Sequence, residues 1–216
     1  MRTATHFPVF DEAGASDIGA ALPLRALERR DAPACVLLDD GGGDAEVLTY
    51  GALAQAAMRA AGTLRSNAPA GSRVLLAFPA GVEFLVALFG CVFAGMIAVP
   101  GPPPRGMANA ARLRGMAQDC GAALALTTPA FAARLNGITG LAAIEFETLI
   151  AAAPADPAPA HAVALLQYTS GSTGDPKGVI VSHRALWANQ AVIRTYFGHE
   201  EGVTLVGWLP NFHDMG

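Results

Sequence analysis

Apolar positions fall into two kinds of block along this chain. Some are short unbroken runs, such as "RVLLAF" at 73–78. Others recur every third or fourth residue, such as Leu53, Ala56, Ala57, Ala60 and Leu64. Unbroken runs bounded by turn residues read as strands buried on both faces, and the three-four spacing reads as one face of a helix. Residues 35–38 and 46–50 then form a hairpin around the flexible "DDGGGD" tip. Thr49 caps a helix that reaches Leu64. The strand at 73–78 leads into a helix from about Gly81 to Gly95, and the pattern repeats: strand 96–99 before helix 107–119, strand 122–127 before helix 129–136, and a short strand at 142–146. Strands that alternate with helices predict an α/β fold, a parallel-rich sheet covered by helices on both faces.

The low-complexity "AAAPADPAPA" at 151–160 interrupts this rhythm and reads as an extended linker or surface excursion. Beyond it the pattern predicts a strand at 163–168, a Gly/Ser-rich loop, a strand at 179–181, a helix at 183–197 capped by Ser182, and a last buried strand at 203–209. Trp187 and Trp208 read as core residues. The chain thus divides into a first α/β subdomain over 1–150, an Ala/Pro-rich linker at 151–161, and a segment at 162–216 that carries the loop and continues the sheet. The ending "PNFHDMG" has no cap or polar tail, so it reads as a cut. The apolar face expected there predicts self-association.

Composition narrows the picture. The chain has 216 residues, 52% of them apolar and 15% charged, which describes a core-rich globular protein. A net charge of −4 argues against a nucleic-acid partner. Arg105, Arg112 and Arg114 are a small local basic cluster and read as a solvated helix face. Cys35, Cys91 and Cys120 are widely spaced, which points to neither a zinc site nor a disulfide framework and favours a reducing, cytoplasmic setting. No signal peptide is expected, since Asp11, Glu12 and Asp17 interrupt the N-terminal apolar residues. The uncharged stretch at 84–104 is long enough to cross a bilayer, but Gly90, Gly95, Pro100 and the following prolines break it, so no membrane span is expected.

Candidate chemistry concentrates in "YTSGSTGDPKGV" at 168–179. Gly171 and Gly174 let the backbone turn its N–H groups inward. Thr169, Ser170, Ser172 and Thr173 supply hydroxyls, and Lys177 supplies a cation. Such a cradle suits a polyphosphate. The loop leaves the carboxyl end of a buried strand, where open α/β sheets bind ligands. It is not a Walker A loop, because Lys177 follows Pro176, and no G-x-S-x-G elbow surrounds Ser170 or Ser172. Lys177 has two readings, contact with phosphate or ordering of the loop. His213 likewise reads either as an interior histidine bonded to Asp214 or as a site residue.

The segment closely resembles the phosphate-binding motif of the adenylate-forming superfamily, which includes acyl-CoA synthetases, nonribosomal-peptide adenylation domains and luciferases. "GCVFAGMIAVPGPPPR" at 90–105 and "WLPNFHDMG" at 208–216 resemble the fatty acyl-AMP ligase branch, with matching order and spacing. The resemblance covers nearly the whole chain, as the N-terminal portion of such an enzyme. It implies ATP-dependent activation of a fatty acid to an acyl adenylate, followed by transfer to an acyl carrier protein. By motif position, Thr169, Ser170, Gly171, Ser172, Thr173 and Gly174 would wrap the β- and γ-phosphates, and His213 would lie beside the acyl and adenylate site. The resemblance also implies Mg2+, whose ligand, with the adenine-binding segments and the catalytic lysine, would follow Gly216. The isolated chain is therefore expected to be inactive. The alternatives are a fragment of an acyl-CoA synthetase, disfavoured by Ser172 and "HDMG", and a non-catalytic binding module. Pro102 and Asn211-Phe212 depart from the branch's usual residues at the acyl pocket, not at the phosphates.

Overall fold

The structure is a computed structural model that describes residues 17–38, 43–169, 177–198 and 203–210. The chain opens with a helix, α1 (Ile18–Glu28), and a hairpin of β1 (Pro33–Leu38) and β2 (Asp44–Thr49). Then come α2 (Tyr50–Asn67), β3 (Arg73–Leu76), α3 (Val82–Phe93), β4 (Ile97–Pro100), α4 (Gly106–Asp119), β5 (Leu124–Thr127), α5 (Pro129–Thr139), β6 (Ala143–Glu145) and α6 (Phe146–Leu149). The described elements end with β7 (Val163–Thr169), β8 (Lys177–Ser182) and α7 (His183–Phe197).

Six strands form the main sheet in the order β6-β5-β3-β4-β7-β8. All pairs are parallel except β7–β8, which is antiparallel. Side chains alternate between two faces, as the pleat requires. Val74, Leu76, Ala98, Leu124 and Leu126 join the core beneath α1, α2, α3 and α6. Leu75, Ala77, Val99 and Ala125 join the opposite core, under α4 and α5. Every residue from Cys91 to Pro100 is buried, which explains the unbroken apolarity of that stretch. It is a core helix and strand, and no described helix is long and apolar enough to cross a membrane.

Close approach of α2 and α3 depends on small residues. A Cβ at Gly90 would lie 2.6 Å from the Ala60 Cβ. Capping follows the sequence: the Thr49 hydroxyl accepts from the Ala52 amide at 3.2 Å, and the Ser182 hydroxyl accepts from the Ala185 amide at 3.0 Å. The segment at 151–160 runs extended across α2 and the end of α3. The Ala155 and Ala158 amides donate to the Met58 and Phe93 carbonyls at 3.0 and 2.7 Å. Arg59 and Arg65 donate to the carbonyls of Ala152 and Asp156 at 3.1 and 2.7 Å.

Several expectations need correction. Helix α1 escaped the sequence reading because Pro23 sits inside it; its start is held by Asp17, whose carboxylate accepts from the Gly19 amide at 2.8 Å. The run at 142–146 was expected to be a strand throughout, but Phe146 begins α6 and packs edge-on against Phe78, with ring centroids 6.4 Å apart. Residues 203–209 form no strand. All of 203–210 is exposed, and Trp208, expected in the core, is 90% exposed. Apolar residues form a buried strand only where a neighbouring edge and a covering layer are supplied, and the described residues supply neither here. Trp187 is half-buried.

The arginines are not a simple solvated face either. Arg105 lies over the Phe131 ring, 5.3 Å from its centroid. Arg114 donates to the Ile138 carbonyl at 3.1 Å, and Arg112 reaches β7. Cys35, Cys91 and Cys120 are all free thiols. Burial pushes the Cys91 thiol far above its usual range, which makes it inert at neutral pH.

Candidate functional site

The carboxyl ends of β3, β4, β5 and β7 lie along one edge of the sheet, because these strands are parallel. From β4 the chain turns back across β3 to reach β5, whereas from β7 it turns outward to β8. The adjacent strands β3 and β5 send their crossovers in opposite directions, through α3 on one face and α5 on the other. The switch point therefore lies between them, on the same carboxyl edge as the ends of β4 and β7. In open α/β sheets ligands bind along that edge.

This edge is firmly tied. The ladder continues past the strand ends, with the Gly101 amide donating to the Leu76 carbonyl at 2.9 Å and the Ala77 amide donating to the Leu126 carbonyl at 3.0 Å. The fully buried Thr127 donates its hydroxyl proton to the Ala77 carbonyl at 2.7 Å. The proline-rich turn after β4 is pinned by Asn109, whose amide donates to the Pro103 carbonyl at 3.1 Å. Gly101 is tightly packed: a Cβ would lie 3.0 Å from Leu113 and 3.2 Å from Met116, so those side chains would have to give way by a few tenths of an ångström.

Strand β7 delivers the candidate loop to this edge. Thr169 and Lys177 are cross-strand partners, and both are exposed. Two of the expected phosphate-binding residues therefore flank the mouth of the loop from opposite strands. Ser170, Gly171, Ser172, Thr173 and Gly174 lie outside the described residues, as does His213.

Just behind Thr169, Tyr168 is held at three points. The residue is 3% exposed, its phenol donates to an Asp119 carboxylate oxygen, and its carbonyl accepts from the Arg112 guanidinium at 2.8 Å. Burial, and then the bond to Asp119, push the phenol pKa far up, so the hydroxyl stays protonated and donates. Opposite, Gly178 lies flat on the ring. A Cβ there would fall 2.9 Å from the ring carbon that bears the hydroxyl. Arg73 anchors the far end of α4 by donating to the Cys120 and Gly121 carbonyls at 2.7 and 3.3 Å.

Sequence reasoning passed over Asp119, gave Tyr168 no role of its own and placed Arg112 on a solvated face. The available signal was that Arg112 and Asp119 lie two helical turns apart on one flank of the buried stripe of Leu113, Met116 and Ala117, where Arg112 is half-buried and Asp119 exposed. Among the described residues no cluster of His, Cys, Asp or Glu has the makings of a metal site.

Comparison with known proteins agrees with the motif reading. Residues 23–216 match the family described as AMP-binding enzyme. A medium-chain-fatty-acid–[acyl-carrier-protein] ligase of Moorena producens is 33% identical over 83% of this chain and 33% of that protein. A long-chain-fatty-acid–AMP ligase of Mycobacterium marinum is 35% identical over 97% of this chain and 38% of that protein. A fatty acyl-adenylate ligase from L. pneumophila, solved in complex with acyl adenylate and pyrophosphate, superimposes with a TM-score of 0.85 at 33% identity. That match covers 94% of this chain and 36% of that one. The chain thus spans little more than a third of the length of the relatives it matches.

Proposed function

Because the chain belongs to the AMP-binding enzyme family, we propose that it is part of a fatty acyl-AMP ligase and contributes the loop that holds the phosphates of ATP. The observation that carries this reading is the position of Thr169 and Lys177, facing each other across β7 and β8 at the carboxyl end of β7, on the edge of the sheet where open α/β sheets bind ligands. In the proposed reaction a fatty-acid carboxylate oxygen attacks the α-phosphorus of ATP. The bond from that phosphorus to the bridging oxygen breaks, and pyrophosphate leaves. The acyl adenylate is then attacked at its carbonyl carbon by the thiol of an acyl carrier protein, and AMP leaves.

The loop would serve the first step. Negative charge accumulates on the departing pyrophosphate, and fixed N–H and hydroxyl donors with a lysine stabilise it without reorganisation. Thr169, Ser170, Gly171, Ser172, Thr173 and Gly174 are the donors in this reading, Lys177 is the cation, and His213 lies on the acyl side. Mg2+ would come with ATP. The described residues offer no ligand cluster for it, so no step of this chain is assigned to the metal. The domain reading is kept as part of the proposal, with 1–150 as the first α/β subdomain, 151–161 as an Ala/Pro-rich linker or surface excursion and 162–216 as the loop-bearing segment that continues the sheet. Exposed Val179, Ile180, Leu205, Val206 and Trp208 support self-association through that segment.

The test is fatty-acid-dependent exchange of pyrophosphate into ATP, run on this chain and on a longer protein containing it. The longer protein should exchange, Lys177→Ala and a Gly171/Gly174 double alanine variant should reduce the rate about a hundredfold, roughly the loss of one oxyanion donor, and this chain alone should be silent. Undiminished exchange by both variants would sink the loop assignment. Supplying carrier protein or coenzyme A as the acceptor then decides the second step.

A further inference from the structure

Arg112 and Asp119 both grip Tyr168, the residue that launches the loop, and neither has a place in the reading above. Arg112 holds its backbone carbonyl at 2.8 Å and Asp119 holds its phenol oxygen. Both come from α4, seven residues apart, a separation of about 10 Å along a helix. The two contacts therefore fix the position and the direction of Tyr168 together. Gly178 closes the grip from the other strand, since only a residue without Cβ lets β8 lie against the ring. The helix itself is anchored at its far end by Arg73.

We propose that Arg112 and Asp119 are positioning residues for pyrophosphate binding, acting through Tyr168 to hold the Thr169 and Lys177 ends of the loop at a fixed separation and height on the sheet edge. This rests on the proposed phosphate-holding role of that loop. A donor cradle works only while its donors stay within a few tenths of an ångström of the anion. Tyr168 is one peptide from the first donor, so a shift at Tyr168 is passed directly to Thr169.

Charge provides a sign that separates positioning from direct action. Asp119 is negative, and an acid acting on a bound anion through its own field would weaken binding. Its removal would then tighten pyrophosphate binding. Positioning demands the opposite.

The experiment measures inorganic pyrophosphate affinity by titration calorimetry on the 216-residue chain, well below its melting temperature, beside the Gly171/Gly174 double alanine variant. Asp119→Ala and Tyr168→Phe should each weaken binding about fivefold, the worth of one hydrogen bond. The double variant should be no worse than the weaker single one, because both remove the same contact. Asp119→Asn keeps an acceptor and should retain the wild-type affinity. Arg112→Ala should weaken binding at least as much as Asp119→Ala. Tighter binding by Asp119→Ala, unchanged affinity in both Asp119→Ala and Tyr168→Phe, or fully additive losses would each overturn the proposal while leaving the loop assignment intact. A wild-type chain that binds no pyrophosphate, or a double glycine variant that binds as well as wild type, would overturn the loop assignment itself and the positioning role with it.

Discussion

The stretches "RVLLAF" at 73–78 and "VTLVGWL" at 203–209 are nearly alike in apolarity, yet they meet opposite fates. In the first, Val74 to Phe78 are at most 1% exposed. In the second, Leu205, Val206 and Trp208 are 74–90% exposed. The difference lies in their surroundings. Strand β3 has β4 and β5 as neighbours and helices above and below it, so every side chain has somewhere to go. Residues 203–210 have neither strand partner nor covering helix among the described residues. Burial belongs to an apolar run together with its neighbours, and the candidate site lies where the two regimes meet: β7 is the last strand of the parallel set, and β8 is the exposed edge.

The largest expected effect tests this contrast directly. Leu75→Ala removes a fully buried side chain between β3 and α4 and should cost about 2–5 kcal/mol, from the transfer term plus the cavity left behind. Val206→Ala, in a side chain 78% exposed, should change stability by no more than about 0.5 kcal/mol. Urea melts of both variants decide it. At a concentration where the chain is monomeric, a comparable loss in both would show that 203–209 is buried within the chain itself, and the contrast would fail; burial against a second copy would appear only as the concentration is raised.

That contrast also explains how much of the molecule could be read from its sequence. Within the buried part, periodicity and caps sufficed: Thr49 and Ser182 cap the helices expected of them, and α2, α3, α4 and α5 fall within a few residues of their predicted bounds. Strand order could not be read, because β4 and β7 are neighbours despite two intervening strands, and nothing local encodes that pairing. For the candidate site, hydroxyl and lysine chemistry singled out Thr169 and Lys177, which face each other at the sheet edge. The grip on Tyr168 was not legible, since it depends on α4 being laid against β7. Helix α1 was hidden by Pro23, an interior proline that local rules count against a helix.

A smaller effect sharpens the buried side of the comparison. Gly90→Ala would place a Cβ 2.6 Å from that of Ala60, where α2 and α3 touch. The helices must separate or shift, at a cost of about 1–3 kcal/mol for an overpacked core. Ala60→Gly in the same chain should recover part of that loss, since it vacates the position the new methyl needs. Thermal melts of the two single variants and the double variant test this. Independent, additive losses would mean that the contact between these two residues does not set the helix spacing.

The smallest effect lies at the joint between the two regions. His183 opens α7, yet it is 5% exposed, and its Nδ1 sits 2.7 Å from the Asp17 carboxylate that caps α1. Burial lowers its pKa, and His161 adds to that. Asp17 pulls the other way, and the burial effect is the larger. The folded pKa therefore lies below the ordinary 6.5. As pH falls through that value the unfolded chain takes up the proton first, so stability present at neutral pH is lost on acidification, down to the folded pKa. Between about pH 7.5 and pH 5 the wild type should lose more melting temperature than His183→Gln, which carries no titrating group there. Other carboxylates and histidines titrate in both proteins, so only the difference between them is informative. A wild type that loses less than the variant would mean that Asp17 dominates and the imidazole is charged in the folded state. The joint between α1 and α7 would then be an ion pair, strengthened by acid instead of weakened by it.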